Sequence, residues 1–160
     1  MPITEILERN CKLYGDEVAL VELNPEVPDD RRTWKDYELI QPTASSCYRR
    51  EITWNVFNEK ANRFANMLLS RGIGKGDKVA ILLMNGIEWL PIYFGILKTG
   101  ALAVPMNFRF SSDEIEYCLN LSEANVLLFG PEFIGRVEEI ADRIMKGRLL
   151  FFVGDHCPTF

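Results

Sequence analysis

One short segment near the middle of the chain carries residues that could bind an anion. Asn107, Phe108 and Arg109, followed by Phe110, lie between a predicted strand and a predicted helix. A basic and aromatic pair beside a helix N-terminus can contact an anion or a nucleotide. Ligands of open α/β sheets bind at the carboxyl ends of strands, which is where this loop is expected. In the alternative interpretation, Phe108 or Phe110 packs inward and Arg109 is merely exposed.

The segment Gly72-Ile73-Gly74-Lys75-Gly76-Asp77 has the glycine content of a nucleotide-binding loop but the wrong position. Phosphate-binding glycine loops follow a strand and open a helix, so that free backbone N–H groups face the anion. These glycines instead follow a predicted helix and precede a strand, and a helix C-terminus presents carbonyl groups. The order predicts a tight turn, and no GxxxxGK[ST] motif occurs anywhere in the chain.

Two further groups resemble catalytic residues only superficially. His156 lies between Asp155 and Cys157, but three adjacent residues cannot converge on one point as a catalytic triad does. The histidine is therefore interpreted as a loop residue. Ser111 precedes Glu114 by three positions, which is the pattern of a helix-capping box and requires no nucleophile.

Acidic residues and the remaining serines also predict no catalytic or metal-binding site. Metal ligands could be sought among Glu132, Glu138, Glu139 and Asp142. Their spacing places them opposite the apolar stripe of an amphipathic helix, which predicts a solvated face. Ser45 and Ser46 have no histidine nearby in the sequence. We predict no catalytic residue and no metal ligand in this chain.

Composition and charge exclude several classes of protein. Apolar residues make up 48% of the chain, which is typical of a folded globular protein, and the net charge of −5 disfavours nucleic-acid binding. The apolar stretch 89–97 is too short to span a bilayer, and the charged residues Glu5, Glu8 and Arg9 predict that the first residues are not a signal peptide. The four cysteines form no CxxC pair, which predicts reduced thiols and a cytoplasmic protein.

The first third of the chain has the less regular pattern. A helix is predicted from Thr4, as its N-cap, to Leu13, with Gly15 beyond its end, and a strand from Val18 to Leu23. Residues 24–50 contain three prolines and scattered charge, which predict an irregular excursion with a hairpin edge around 34–39.

From Ile52 onward, apolar strands alternate with amphipathic helices. The predicted order is helix 53–71, strand 78–84, helix 87–99, strand 101–106, helix 111–122, strand 125–129, helix 132–146 and strand 149–153. This alternation over 51–153 predicts an α/β fold with a parallel sheet and helices on both faces. No helix follows the last strand, so the 160 residues are expected to be part of a larger domain.

Several segments, in a fixed order and spacing, resemble one known family. They are Ile52-Thr53-Trp54 with Ala61-Asn62-Arg63-Phe64-Ala65, the stretch 72–80, Asn85-Gly86-Ile87-Glu88-Trp89, and Leu97-Lys98-Thr99-Gly100-Ala101 with Val104-Pro105-Met106-Asn107. Together they resemble the AMP-forming acyl-CoA synthetases, a family that includes luciferases and the adenylation domains of peptide synthetases. The similarity extends over residues 4–153, and the excursion 24–50 is longer than the usual link.

The resemblance implies the amino-terminal part of the large domain of an adenylate-forming enzyme. Such a parent joins ATP and a fatty or aryl carboxylic acid into an acyl-adenylate with Mg²⁺, then transfers the acyl group to coenzyme A. The family's phosphate loop, adenine and Mg²⁺ segments have no counterpart in residues 1–160. The chain alone is therefore expected to be inactive, with the remainder of the ligase as its partner. The resemblance also places Asn107, Phe108 and Arg109 near the coenzyme A nucleotide.

Two other hypotheses follow from the same residues. The chain could be a non-catalytic interaction module that reuses this fold, with the excursion as a contact surface for another protein or for a second copy in a homodimer. A flavodoxin-like or Rossmann-like cofactor domain is the other hypothesis. It requires a glycine-rich loop directly after a strand, and no such loop is found.

Overall fold

In the computed structural model, residues 2–24 and 48–154 are described. The helices are α1 (Ile3–Tyr14), α2 (Trp54–Ser70), α3 (Trp89–Lys98), α4 (Ser112–Ser122) and α5 (Ile134–Ile144), and the strands are β1 (Val18–Asn24), β2 (Tyr48–Thr53), β3 (Lys78–Leu82), β4 (Leu102–Pro105), β5 (Val126–Phe129) and β6 (Leu149–Phe152). A short 3₁₀ turn, Pro131–Phe133, precedes α5.

Strands β3 to β6 form one parallel sheet in the order β4-β3-β5-β6. Val79 of β3 is in register with Ala103 of β4 on one side and with Val126 of β5 on the other. Val126 in turn is in register with Leu149 of β6. The predicted parallel arrangement of these four strands is confirmed.

Helices cover both faces of this sheet because side chains alternate between its faces along each strand. Ala80 and Leu82 of β3 pack with α4 and α5 in one buried cluster. Val79 and Ile81 of the same strand pack with α2 and α3 in another cluster. Strand β3 from Val79 onward and the whole of β5 are therefore apolar, as expected for strands that are buried on both faces.

Helix α2 begins and ends where its sequence predicts. The Thr53 hydroxyl accepts a hydrogen bond from the Val56 N–H at 3.3 Å, which satisfies one free donor of the first turn. Gly72, just past the end, has φ = 80°, a conformation that costs glycine little. Leu69, an apolar residue near the end of the helix, is 51% exposed.

The prediction that Thr4 caps the first helix is wrong. Helix α1 begins at Ile3, and Pro2 occupies the capping position without a side-chain hydrogen bond. The Glu5 N–H instead donates to the Pro2 carbonyl at 3.0 Å. Proline fixes φ near the value that a helix start needs, and with Pro2 as the cap the helix begins two residues earlier than predicted.

Strand β2 was not predicted from the sequence. It pairs antiparallel with β1, with Glu22 in register with Arg50, and so forms a two-stranded sheet of its own. Residues 48–50 therefore belong to a strand rather than to the irregular excursion, which was predicted to run from 24 to 50. The charged run Tyr48-Arg49-Arg50-Glu51 carries no apolar alternation, so its conformation depends on pairing with β1. The predicted hairpin edge at 34–39 lies outside the described residues.

Candidate functional site

The loop after β4 folds into a compact turn. The Asn107 side-chain Oδ1 accepts a hydrogen bond from the Arg109 N–H at 2.9 Å. The Asn107 carbonyl accepts another from the Phe110 N–H at 3.1 Å. Asparagine commonly closes such turns because its side chain reaches the backbone two residues on. The loop is thus a defined structure at the carboxyl end of a sheet strand, the position that its sequence predicts.

The residues of this loop divide into an inward and an outward group. Phe108 and Phe110 are half-buried and pack against the cluster that contains α4 and α5. Asn107 and Arg109 are exposed, and the Arg109 guanidinium carbon lies 5.2 Å from the centroid of the Phe108 ring. The inward packing expected in the alternative interpretation is therefore present. It occurs together with an exposed cation on an aromatic ring, so the two interpretations of this loop are compatible.

An arginine from α5 supports the loop, and it was not identified from the sequence. Arg136 Nη1 donates to the carbonyls of Phe108 and Phe110 at 2.8 and 2.9 Å. Its guanidinium carbon also lies 5.5 Å from the centroid of the Phe133 ring. Arg136 is in the first turn of α5, where the helix dipole disfavours a cation. An arginine in the first turn of a helix is a signal in the sequence that could have indicated a hydrogen-bond acceptor close to the helix N-terminus.

The first turn of α4 is closed by its own side chains. The Ser111 hydroxyl accepts from the Glu114 N–H at 3.4 Å, and the Glu114 carboxylate accepts from the Ser111 N–H at 2.8 Å. The predicted capping box is confirmed, and this contact accounts for Ser111 without any catalytic role. Hydrogen bonds from the Ser111 backbone and hydroxyl lower the pKa of Glu114 from its ordinary value of 4.5.

The capping box makes a prediction about acid stability. A carboxyl group whose pKa is lower in the folded state stabilises the fold above its unfolded pKa, and the contribution disappears as the pH falls through the folded pKa. We expect Glu114→Gln, which keeps the capping geometry, to lower the melting temperature at pH 7 but to have no effect at pH 2. Melting curves across this range check the prediction. In a carboxyl NMR titration, Ser111→Ala should raise the pKa of Glu114 in part, because it removes the hydroxyl and keeps the backbone N–H; an unchanged pKa would contradict the contribution of the hydroxyl.

A separate cleft of about 240 Å³ lies at the carboxyl ends of β3, β5 and β6. Helix α3, which follows β3, packs on one face of the sheet, and α5, which follows β5, packs on the other face. The connections that leave these two neighbouring strands therefore run in opposite directions. Ligands of open α/β sheets bind at such a switch point. The two-stranded sheet of β1 and β2 closes one side, with the Glu22 carboxylate accepting from the Ile87 N–H at 2.6 Å. The sequence did not predict this contribution of the two-stranded sheet.

The glycine-rich segment 72–77 lies at the opposite edge of the sheet, before β3. The Asp77 carboxylate accepts a hydrogen bond from the Gly74 N–H at 2.8 Å, and the Asp77 N–H donates back to the Gly74 carbonyl at 3.1 Å. The Asp77 carboxylate thus accepts the hydrogen bond from an N–H group that a bound phosphate would need as a donor. The prediction of a structural turn is confirmed, and the segment is not a dinucleotide loop.

The other candidates provide no clear site within residues 2–24 and 48–154. These residues contain no group of three His, Cys, Asp or Glu side chains able to hold a metal ion. Glu138, Glu139 and Asp142 are exposed on α5, as predicted for a solvated face, while Glu132 is half-buried in the 3₁₀ turn. Cys11 and Cys118 are free thiols. Ser45, Ser46 and the Asp155-His156-Cys157 tail lie outside the described residues.

Among the described helices, none combines the length and the apolar character that crossing a bilayer requires. The described fold is that of an open, doubly wound α/β domain. The family model of the AMP-binding enzymes matches residues 7–150. The chain belongs to this family.

Its relatives include two coenzyme A ligases of different substrate class. The chain is 31% identical over 121 residues to a 3-hydroxybenzoate--CoA/4-hydroxybenzoate--CoA ligase of Thauera aromatica, which covers 76% of this chain and 23% of the ligase. It is 35% identical over 109 residues to a medium/long-chain-fatty-acid--CoA/3-oxocholest-4-en-26-oate--CoA ligase of Mycobacterium marinum, covering 68% of this chain and 20% of the ligase. The chain thus matches about a fifth of the length of these relatives.

Solved structures of the same kind share the fold. The anthranilate CoA ligase AuaEII in complex with anthranoyl-AMP superposes with a TM-score of 0.73 at 28% identity, over 96% of this chain and 26% of that one. The N-terminal domain of FACL13 from Mycobacterium tuberculosis superposes with a TM-score of 0.75 at 24% identity, over 96% of this chain and 34% of that one. The second similarity shows the fold alone.

Proposed function

We propose that this chain is the amino-terminal part of an acyl-CoA ligase. The parent enzyme would use ATP and Mg²⁺ to convert a carboxylic acid to an acyl-adenylate and would then transfer the acyl group to coenzyme A. The observation that carries the proposal is the family match over residues 7–150, on a parallel sheet with the fold of known CoA ligases. The relatives named above act on hydroxybenzoates and on fatty acids, so the proposal extends to a carboxylic acid and no further.

Within the parent, the chain would supply scaffold rather than reacting groups. Adenylyl transfer needs cations positioned around the ATP phosphates. The described lining of the switch-point cleft instead carries one arginine, Arg50, beside the carboxylates of Glu22, Glu88 and Glu132. Such an acidic lining repels a triphosphate. This charge balance supports the proposal that residues 1–160 alone form no acyl-adenylate.

A pyrophosphate-release assay tests that proposal. We expect the purified chain, given ATP, Mg²⁺ and either 4-hydroxybenzoate or dodecanoate, to release no acid-dependent pyrophosphate above the protein-free background. The Thauera aromatica ligase, assayed in parallel, would show that the conditions support adenylation. Steady acid-dependent turnover by the chain alone would contradict the proposed inactivity while leaving the family membership intact.

The loop Asn107-Phe108-Arg109 is proposed as the contact for the coenzyme A nucleotide. Coenzyme A carries a 3′-phosphate on its adenosine, and a guanidinium is well suited to hold a phosphate. The exposure of Arg109 and its placement over the Phe108 ring support this role. Asn107 would act by closing the turn that presents the arginine.

Adenosine 3′,5′-bisphosphate, which reproduces this end of coenzyme A, is the probe for the loop. We expect it to shift the amide resonances of residues 107–110 in the ¹⁵N-labelled chain, with a dissociation constant of about 1 mM for so few contacts. Arg109→Ala should abolish the shifts, because it removes the cation. Shifts that persist in that variant, or that fall elsewhere, would refute the assignment.

A further inference from the structure

The contact between α5 and the loop after β4 joins parts of the chain that are far apart in sequence. Arg136 lies 28 residues beyond Phe108 and 26 beyond Phe110, and it bonds to both carbonyls through Nη1. Strand β3 separates β4 from β5 in the sheet, so the contact joins segments that follow two strands that are not neighbours. No local turn rule requires such a long-range bond.

The bond orients the loop as well as anchoring it. The carbonyls on either side of Arg109 are both turned toward the Arg136 guanidinium. Backbone carbonyls repel phosphate. Because both carbonyls point at the Arg136 guanidinium, they do not face an anion that binds at the surface of the loop. The residue between them is left exposed, with its N–H held by Asn107 Oδ1. Arg136 therefore favours the conformation in which Arg109 faces outward.

We propose that Arg136 is a positioning residue for coenzyme A, acting through the loop without touching the ligand. It holds residues 107–110 in the conformation that receives the nucleotide phosphate, and so lowers the cost of ordering the loop on binding. This inference rests on the proposed function of the loop. A purely structural Arg136 would change the stability of the chain but would leave the affinity of the folded protein for the probe unchanged.

The test uses the same ¹⁵N-labelled chain and the same bisphosphate. Arg136→Met keeps the aliphatic stem and removes the donors, whereas Arg136→Lys keeps a cation that can donate to the carbonyls. Arg143→Met is the matched control, because Arg143 is on the same helix but pairs with Asp113 and Glu116 of α4. All titrations are run where the resonances outside the loop show each variant to be folded.

We expect Arg136→Met to raise the dissociation constant of the bisphosphate about fivefold and to accelerate amide hydrogen exchange at Arg109 and Phe110. Arg136→Lys should restore part of both losses, and Arg143→Met should cause neither. An unchanged dissociation constant in Arg136→Met, with normal binding by the wild-type chain, would overturn the positioning role and leave the loop assignment standing. Absence of loop shifts in the wild-type chain would overturn both.

Discussion

Replacing Arg148 by alanine is expected to lower the free energy of unfolding by about 3 kcal/mol, because several hydrogen bonds to a charged group are lost together. Arg148 Nε donates to the Ala124 carbonyl at 2.9 Å, and Nη1 donates to the Ile144 carbonyl at 3.3 Å. Its Nη2 donates to the Leu119 carbonyl at 3.4 Å and to Asn120 Oδ1 at 2.7 Å. The Arg148 guanidinium thus donates hydrogen bonds to oxygen atoms at the carboxyl-terminal ends of both α4 and α5.

Denaturant unfolding followed by circular dichroism measures this effect. Arg63→Ala is the control, because Arg63 pairs with Glu59 one turn away and its side chain is 78% exposed. Exposed pairs of this kind contribute about 0.3–0.5 kcal/mol. The loss in the free energy of unfolding for Arg148→Lys should fall between the losses for these two variants, since one ammonium cannot reproduce the several donors of a guanidinium. Equal losses for Arg148→Ala and Arg63→Ala would show that the hydrogen bonds to the helix ends contribute nothing measurable.

Replacing Gly95 by alanine is expected to destabilise the chain by about 2 kcal/mol, although alanine normally favours a helix. Gly95 is buried in α3 where this helix crosses α2. A Cβ atom there would lie 2.9 Å from the Ala61 carbonyl oxygen and 2.9 Å from Phe64 Cδ1. The carbonyl belongs to the backbone of α2, so it cannot rotate away, and the two helices must separate.

A second glycine of the chain provides the opposite case. Gly135 is in α5, and a Cβ built there meets no atom within 4 Å. Gly135→Ala should therefore stabilise the chain by roughly 0.5–1 kcal/mol through helix propensity alone. Thermal unfolding of the two variants should shift the midpoint in opposite directions. Stabilisation by both substitutions would mean that α2 and α3 can separate at negligible cost.

The position of the candidate loop in the fold could be predicted from the sequence, but the contact with Arg136 that supports the loop could not. Asn107, Phe108 and Arg109 follow a short apolar strand and precede a capping box, and both signals are local. The Arg136 contact depends instead on which strands are neighbours in the sheet. Buried strands that are apolar on both faces do not specify their neighbours, so the order β4-β3-β5-β6 is not readable from the alternation.

What the sequence determined by itself was the set of local structures. The Thr53 cap, the glycine turn at 72–77, the Ser111–Glu114 box and the alternation of strands with helices all depend on residues within a few positions of one another. Their hydrogen bonds form between near neighbours, and their burial follows from a short period. These features sufficed for the α/β class and for the resemblance to the AMP-binding enzymes, which the family match confirms.

The tertiary structure alone decided the features that depend on distant partners. Strand β2 exists because it pairs with β1, Gly95 is required because α2 passes beside it, and Arg136 and Arg148 contact carbonyls 24 to 29 residues away. Each of these contacts is formed only after the sheet order has brought its two partners together. In the unfolded chain, charged and small residues are solvated by water whatever partner they have in the folded state. The types of these residues in the sequence therefore do not indicate which partner each one contacts.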